Sequence, residues 1–243
     1  GIFGGYMDGK NINTYIPPAW WNGTSSAEQV SWNGFARNGQ FNDVYYTGGA
    51  NRFVGYYKLS GVEQPAYWTP GLGSNAPFFL DKGSYDGGVA NCLNVDKIIG
   101  GGVIEVGNGP ASVPCYWTPD GTTWDINYLT GWPDDRGGMV IGITDDVSGD
   151  DDGPYLIGMA YAEEGTGGDG PQPFIYSIGS QELKFCGDIY GAPTQVSNKS
   201  YSSGSPVVSF SGGGAAGGGR PYIWVGSPDP SDNFNGAGDD IWA

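Results

Sequence analysis

Short apolar runs, separated by glycine, serine, asparagine and proline, recur along the whole chain. One set reads IFGGY (2–6), RFVGYY (52–57), GVIEVG (102–107), YLIGMAY (155–161) and PVVSFS (206–211). Each is a β-prone run beside a small residue and bounded by turn formers, the pattern of a short strand. A second set follows it, made of a proline, two further residues and a large aromatic: PAWW (18–21), PAYW (65–68), PCYW (114–117), PFIY (173–176) and PYIW (221–224). These prolines lie 47, 49, 59 and 48 residues apart. A looser third segment comes next, as QVSW (29–32), PFFL (77–80), TWDINYL (123–129), ELKFCGDIY (182–190) and NFN (233–235). A fourth reads NDVYY (42–46), VANCLNV (89–95) and GMVIGIT (138–144), and is weak near TQVSNKSY (194–201). No stretch has helical periodicity.

The links between first and second segments, such as KLSGVEQ, GNGPASV and SGGGAAGGGR, are hairpin punctuation. The unit is therefore about 48 residues with up to four strands. Four-strand units of about 40–50 residues predict a β-propeller, because one such sheet leaves apolar faces that only its neighbours can cover. The expectation is an all-β, five-bladed propeller in one domain, 1–243, with units near 1–50, 51–101, 102–153, 154–205 and 206–243. The long 59-residue step falls where acidic, Gly-rich extensions, TDDVSGDDDGP and AEEGTGGDG, enlarge surface loops. DDIWA (239–243) reads either as the last strand of the fifth unit or as the strand completing the first, so the register of closure stays open.

Phe53-Val54-Gly55-Tyr56-Tyr57 followed by Pro65-Ala66-Tyr67-Trp68-Thr69-Pro70 resembles the HAF-type repeat of bacterial extracellular proteins, an apolar–Gly strand followed by a strand ending in Trp. The likeness touches all five units at about ten positions each, and departs where Pro stands for the His that usually begins the second strand. By unit length and count the chain is also similar to tachylectin-type five-bladed lectins. Both resemblances imply a secreted, non-catalytic scaffold that holds ligands between blades or on one face.

Glycine (46) and proline (17) are abundant, yet 9 Trp, 16 Tyr and 10 Phe supply the buried area that a disordered chain lacks. Charged residues are only 15%, and the net charge is −16. Such a surface repels phosphate backbones and anionic headgroups, which argues against nucleic-acid binding. No apolar run approaches the length of a membrane-spanning helix, so membrane insertion is not expected. With no His, histidine-based triads and the commonest transition-metal ligand are excluded. Cys92, Cys115 and Cys186 contain no CxxC and read as buried thiols.

The repeated aromatics Trp21, Trp68, Trp117, Tyr176 and Trp224 could stack on sugars, but a large residue at one equivalent position reads first as packing between blades. Aromatics off the repeat, Trp32, Trp124, Trp132 and Tyr161, are the candidate ligand-binding residues. In DDVSGDDDG (145–153), Asp146, Ser148, Asp150 and Asp152 alternate like the first ligands of a calcium loop. Asp151 and Ile157 then stand where that loop needs Gly and Glu, and a solvated acidic loop is the alternative. Glu105, Asp8 and Glu163 are candidate inner-strand acids for a carboxylate glycosidase, but they do not recur in register. No P-loop, GxSxG or dinucleotide fingerprint is present. Asn22-Gly23-Thr24 and Asn198-Lys199-Ser200 are glycosylation sequons relevant only to a secreted eukaryotic chain.

The function expected is non-enzymatic extracellular recognition of a glycan or another cell-surface ligand, without a cofactor apart from the calcium candidate. A charge-poor surface rich in Gly, Tyr, Trp and Asn suits adhesion, because Tyr and Trp give contact area at low entropic cost. The alternatives are a self-associating virion decoration or fibre protein, or an extracellular filament subunit, and third a glycoside hydrolase.

Overall fold

A computed structural model describes residues 3–6, 18–21, 28–29, 39–47, 50–69, 77–106, 112–145, 153–161, 171–185, 192–196, 200–202, 205–213 and 221–226. Side chains are described for 39–45, 51–69, 77–106, 112–145, 153–161 and 171–185. All the regular structure among these residues is β, and no helix among them is long and apolar enough to cross a membrane.

Strands β1 (Phe3–Tyr6), β2 (Pro18–Trp21) and β3 (Glu28–Gln29) form a three-stranded antiparallel sheet. Three four-stranded meanders follow. The first is β4 (Gly39–Thr47), β5 (Ala50–Leu59), β6 (Val62–Trp68) and β7 (Phe78–Phe79). The second is β8 (Gly87–Leu93), β9 (Ile99–Ile104), β10 (Val113–Asp120) and β11 (Thr123–Tyr128). The third is β12 (Gly138–Ile143), β13 (Tyr155–Ala160), β14 (Gln172–Ser177) and β15 (Leu183–Phe185). In the fifth sheet β16 (Ala192–Val196) and β17 (Ser200–Ser202) both pair with one side of β18 (Ser205–Gly213), and β19 (Pro221–Gly226) pairs with the other. The weak segment near 194–201 is thus an edge made of two short pieces. Each meander takes its first strand from the fourth segment of the sequence unit and the rest from the unit that follows.

The proline motif supplies the third strand. Proline lacks a ladder donor and is ordinarily excluded from inner strands. Here Pro65, Pro114 and Pro173 each sit one residue ahead of the first residue paired to the fourth strand, at Ala66, Cys115 and Phe174. The carbonyl of Pro65 points toward that side and accepts from Leu80 N at 3.0 Å. Nitrogen and carbonyl of one strand residue point the same way, so the missing N–H falls beyond the ladder and leaves no gap in it.

The two residues after the proline and its neighbour divide by strand alternation. Tyr67 packs with Ala90, Leu93, Ile99, Val103, Cys115 and Trp117 of the next sheet. Trp117 therefore faces back toward the β4–β7 sheet, while Tyr116 faces forward to Val140, Leu156, Phe174 and Tyr176. Trp68 joins Phe41, Phe53 and Tyr57 on the far face of its own sheet. The recurring Tyr-Trp pair thus fills two successive inter-sheet cores, and Trp68, Trp117 and Tyr176 are all buried. Burying each such side chain stabilises the fold by roughly 1.5–3 kcal/mol.

The first strands carry a second repeat that the apolar pattern conceals. Their pairing is interrupted by bulges between Phe41 and Asp43, Ala90 and Cys92, Val140 and Gly142, and Pro193 and Gln195. In two of these strands the bulged residue is asparagine. Asn42 Nδ2 donates to Ala90 O at 2.9 Å and to Asn91 Oδ1 at 3.2 Å. Asn91 Nδ2 donates onward to Val140 O at 2.8 Å. Leu93 N donates to Asp43 Oδ2 (3.1 Å), Asn94 Nδ2 to Thr144 O (3.2 Å) and Val95 N to Asp145 Oδ1 (3.0 Å). A bulge re-aims a side chain out of the pleat, and here it ties each first strand to the next.

Candidate functional site

Among the described residues many large aromatics are buried in these cores, but Phe78 and Phe79 are 50% and 38% exposed. They make up the whole of β7, an outer edge strand two residues long. In a strand, adjacent side chains point to opposite faces, so one sheet face cannot bury both. Phe78 pairs across from Tyr67 and Phe79 from Ala66.

The neighbouring sheet supplies the opposite wall. The β10–β11 hairpin turns through Gly121 at φ 60°, and the returning strand carries Trp124 opposite Pro119. Trp124 lies 4.6 Å from the Tyr67 ring and 6.4 Å from Phe78, with Tyr67 and Phe78 also 6.4 Å apart. Its Nε1 points to Lys97 O at 3.4 Å. The groove between the two sheets has a volume of about 300 Å³ and is lined by Phe78, Phe79, Leu80, Asp81, Thr122, Thr123 and Trp124. Beneath it Leu80 is buried, and the Asp81 carbonyl accepts from Nε1 of buried Trp117. Asp81 is exposed, and its carboxylate accepts Gly83 N through Oδ1 at 2.9 Å. Flat aromatic faces beside hydroxyls and one carboxylate suit a ligand with an apolar face and polar edges.

Of the described aromatics singled out by sequence, Trp124 alone lines this groove. Trp132 is half-buried at another junction, 5.0 Å from Phe174 and 5.7 Å from Phe185, with Nε1 donating to Arg136 O at 2.7 Å. Tyr161 meets the same arginine, its carbonyl accepting Arg136 Nε at 3.0 Å. Arg136 also lies 4.8 Å above the Phe185 ring and reaches Gln172 Oε1 at 3.0 Å. Trp132 and Tyr161 therefore flank one Arg-centred cluster, apart from Trp124. Trp32 lies outside the described residues, as do Asp146, Ser148, Asp150 and Asp152 of the calcium candidate. Among the described residues, no three or more His, Cys, Asp or Glu are grouped to hold a metal ion.

Glu105 is exposed just beyond β9, an inner strand of its sheet with neighbours on both sides. Asp8 and Glu163 lie outside the described residues. Cys92 and Cys115 are buried free thiols, and burial pushes both well above the ordinary thiol range. Cys186 lies outside the described residues.

Phe78, Phe79, Asp81, Thr122 and Thr123 were not legible as site residues. The one signal for them was the Phe-Phe doublet in PFFL, which breaks the alternation of a half-buried strand. No known protein-family model matches the chain, and no curated protein sequence matches it.

Proposed function

We propose that this chain is a non-enzymatic extracellular recognition module, a five-bladed propeller that binds glycan in the groove between Phe78 and Trp124. The observation that carries the reading is an exposed Phe78 beside a half-buried Trp124, both packed on Tyr67, in a groove also lined by Thr122, Thr123 and Asp81. A solvent-facing aromatic surface held open by a rigid core marks a binding site more than a folding requirement.

The five-bladed architecture is supported by five successive antiparallel sheets and by hydrogen bonds that join residues 48–50 apart from one first strand to the next. It is supported further by the first sheet, where β1 occupies the place of β5, β9 and β13 but has no partner on its outer side among the described residues. DDIWA (239–243) lies outside the described residues. Its sequence matches NDVYY of β4 in order: Asp239 with Asn42, Asp240 with Asp43, Ile241 with Val44 and Trp242 with Tyr45. The likeness in unit length to tachylectin-type lectins favours the same reading.

Screening a glycan array, followed by calorimetric titration of the hits, tests the function. Binding abolished by Phe78→Ala and Trp124→Ala supports it. Absence of any glycan ligand, together with concentration-dependent assembly in light scattering, favours a virion or filament building block. Polysaccharide turnover makes the protein a hydrolase and overturns the reading.

A further inference from the structure

We infer that the groove selects sugars bearing a free ammonium group, that is, amino sugars that are not N-acetylated; this rests on the glycan reading above. Asp81 is the one ionisable residue among the seven that line the groove. The adjacent cation, Lys82, is turned to the Tyr85 carbonyl. Lys97 meets Trp124 through its backbone oxygen. Asp120 and Asp125 are exposed on the hairpin that carries Trp124 and add negative charge to that hairpin.

The aromatic pair acts in the same direction. Phe78 and Trp124 have ring centroids 6.4 Å apart and inclined by 47°, over Tyr67. Aromatic faces carry negative potential and attract a cation placed within about 6 Å of a ring centroid. A sugar ring laid on Phe78 or Trp124 presents its equatorial substituents at its edge, and Asp81 lines the same groove. An ammonium at that edge gains both the ring faces and Asp81. An acetamide gains neither charge term, and a uronate or sialic acid meets Asp81 and a net charge of −16. The recognised feature is thus an apolar sugar face joined to a positive edge.

The test is calorimetric titration of the full chain with a tetrasaccharide of glucosamine, its fully N-acetylated counterpart and a uronic-acid oligosaccharide. Mildly acidic pH keeps the amine protonated. The expected result is at least about tenfold tighter binding of the free-amine sugar, a difference of about 1.4 kcal/mol. That preference weakens in high salt and disappears in Asp81→Asn, whose backbone carbonyl still serves Trp117. Phe78→Ala weakens free-amine and acetylated sugars together. Thermal midpoints of both variants within a few degrees of the parent confirm that the fold is kept. Equal affinity for free-amine and acetylated sugars, or an unchanged preference in Asp81→Asn, overturns ammonium selection and leaves the glycan reading standing. A lysine-rich peptide that displaces the sugar from the groove also overturns it, because charge alone is then recognised. Absence of binding to all three sugars and to the glycan array removes the underlying reading and the inference with it.

Discussion

Replacing Asn91 by alanine tests whether the bulged asparagines hold neighbouring sheets together. Asn91 is half-buried at the bulge of β8. Truncation removes its 2.8 Å donation to Val140 O and its 3.2 Å acceptance from Asn42 Nδ2. A typical intramolecular hydrogen bond contributes about 0.5–1.5 kcal/mol net, and a group stranded without a partner adds to the loss. Asn42 keeps its bond to Ala90 O, so the penalty falls mainly on the Val140 side. The expected loss is about 2 kcal/mol, equivalent to a fall in midpoint of about 4–8 °C for a domain of this size. Asn91→Asp is expected to lose more, because a carboxylate cannot donate to the Val140 carbonyl and instead faces it. Urea unfolding read by tryptophan fluorescence, with calorimetry as a second probe, measures both. A cycle with Asn42→Ala isolates the coupling, expected at about 0.5–1.5 kcal/mol. An Asn91→Ala midpoint equal to the parent's, or strictly additive Asn42 and Asn91 losses, would refute the stitching role.

Gly101→Ala drives a Cβ into Val89 O and to 3.0 Å from the Trp117 ring, between backbone and buried core. It is expected to cost more than about 3 kcal/mol or to prevent folding, whereas Gly121→Ala, at φ 60° with open space around it, is expected to cost only about 1 kcal/mol in the same unfolding assay. Cys92 and Cys115, buried and held above the ordinary thiol range, are expected to react with a thiol reagent only after unfolding; rapid labelling of either in the native protein contradicts the packing. Burial raises the Asp43 carboxyl above its ordinary range, although Leu93 N and Val44 N, both donating to it, pull the other way. The folded state then holds this proton more tightly than the unfolded chain, so its stabilising contribution is complete below the ordinary carboxylate range and is lost as pH rises through the raised value. Asp43→Asn is expected to gain stability relative to the parent across that rise, and a pH-independent difference refutes the assignment. Deleting 236–243 is expected to lower the unfolding midpoint by several degrees if that segment completes the first sheet, and an unchanged midpoint refutes closure there.

What the sequence disclosed and what it hid both follow from strand geometry. An all-β chain was legible because each second strand is an apolar run and each third strand a proline followed by two aromatics. The burial of Trp68, Trp117 and Tyr176 follows from that repetition. The sheets run one strand out of phase with the sequence units because a repeat read along the chain does not say which of its four strands opens a sheet. The site was only partly legible for a different reason. Trp124 and Trp132 look alike in sequence, each an off-repeat tryptophan near turn residues. Trp132 is closed over by Phe174 and Phe185, about 40–50 residues later, whereas Trp124 faces a two-residue strand about 45 residues earlier. The difference between these two tryptophans thus lies in the outer strand that each one meets. β11 and β15 carry their pairing over six and three residues, and β7 stops at two. That early stop leaves Phe78 in solvent and opens the groove, so lengthening β7 would be expected to bury Phe78 and cost affinity without cost to stability.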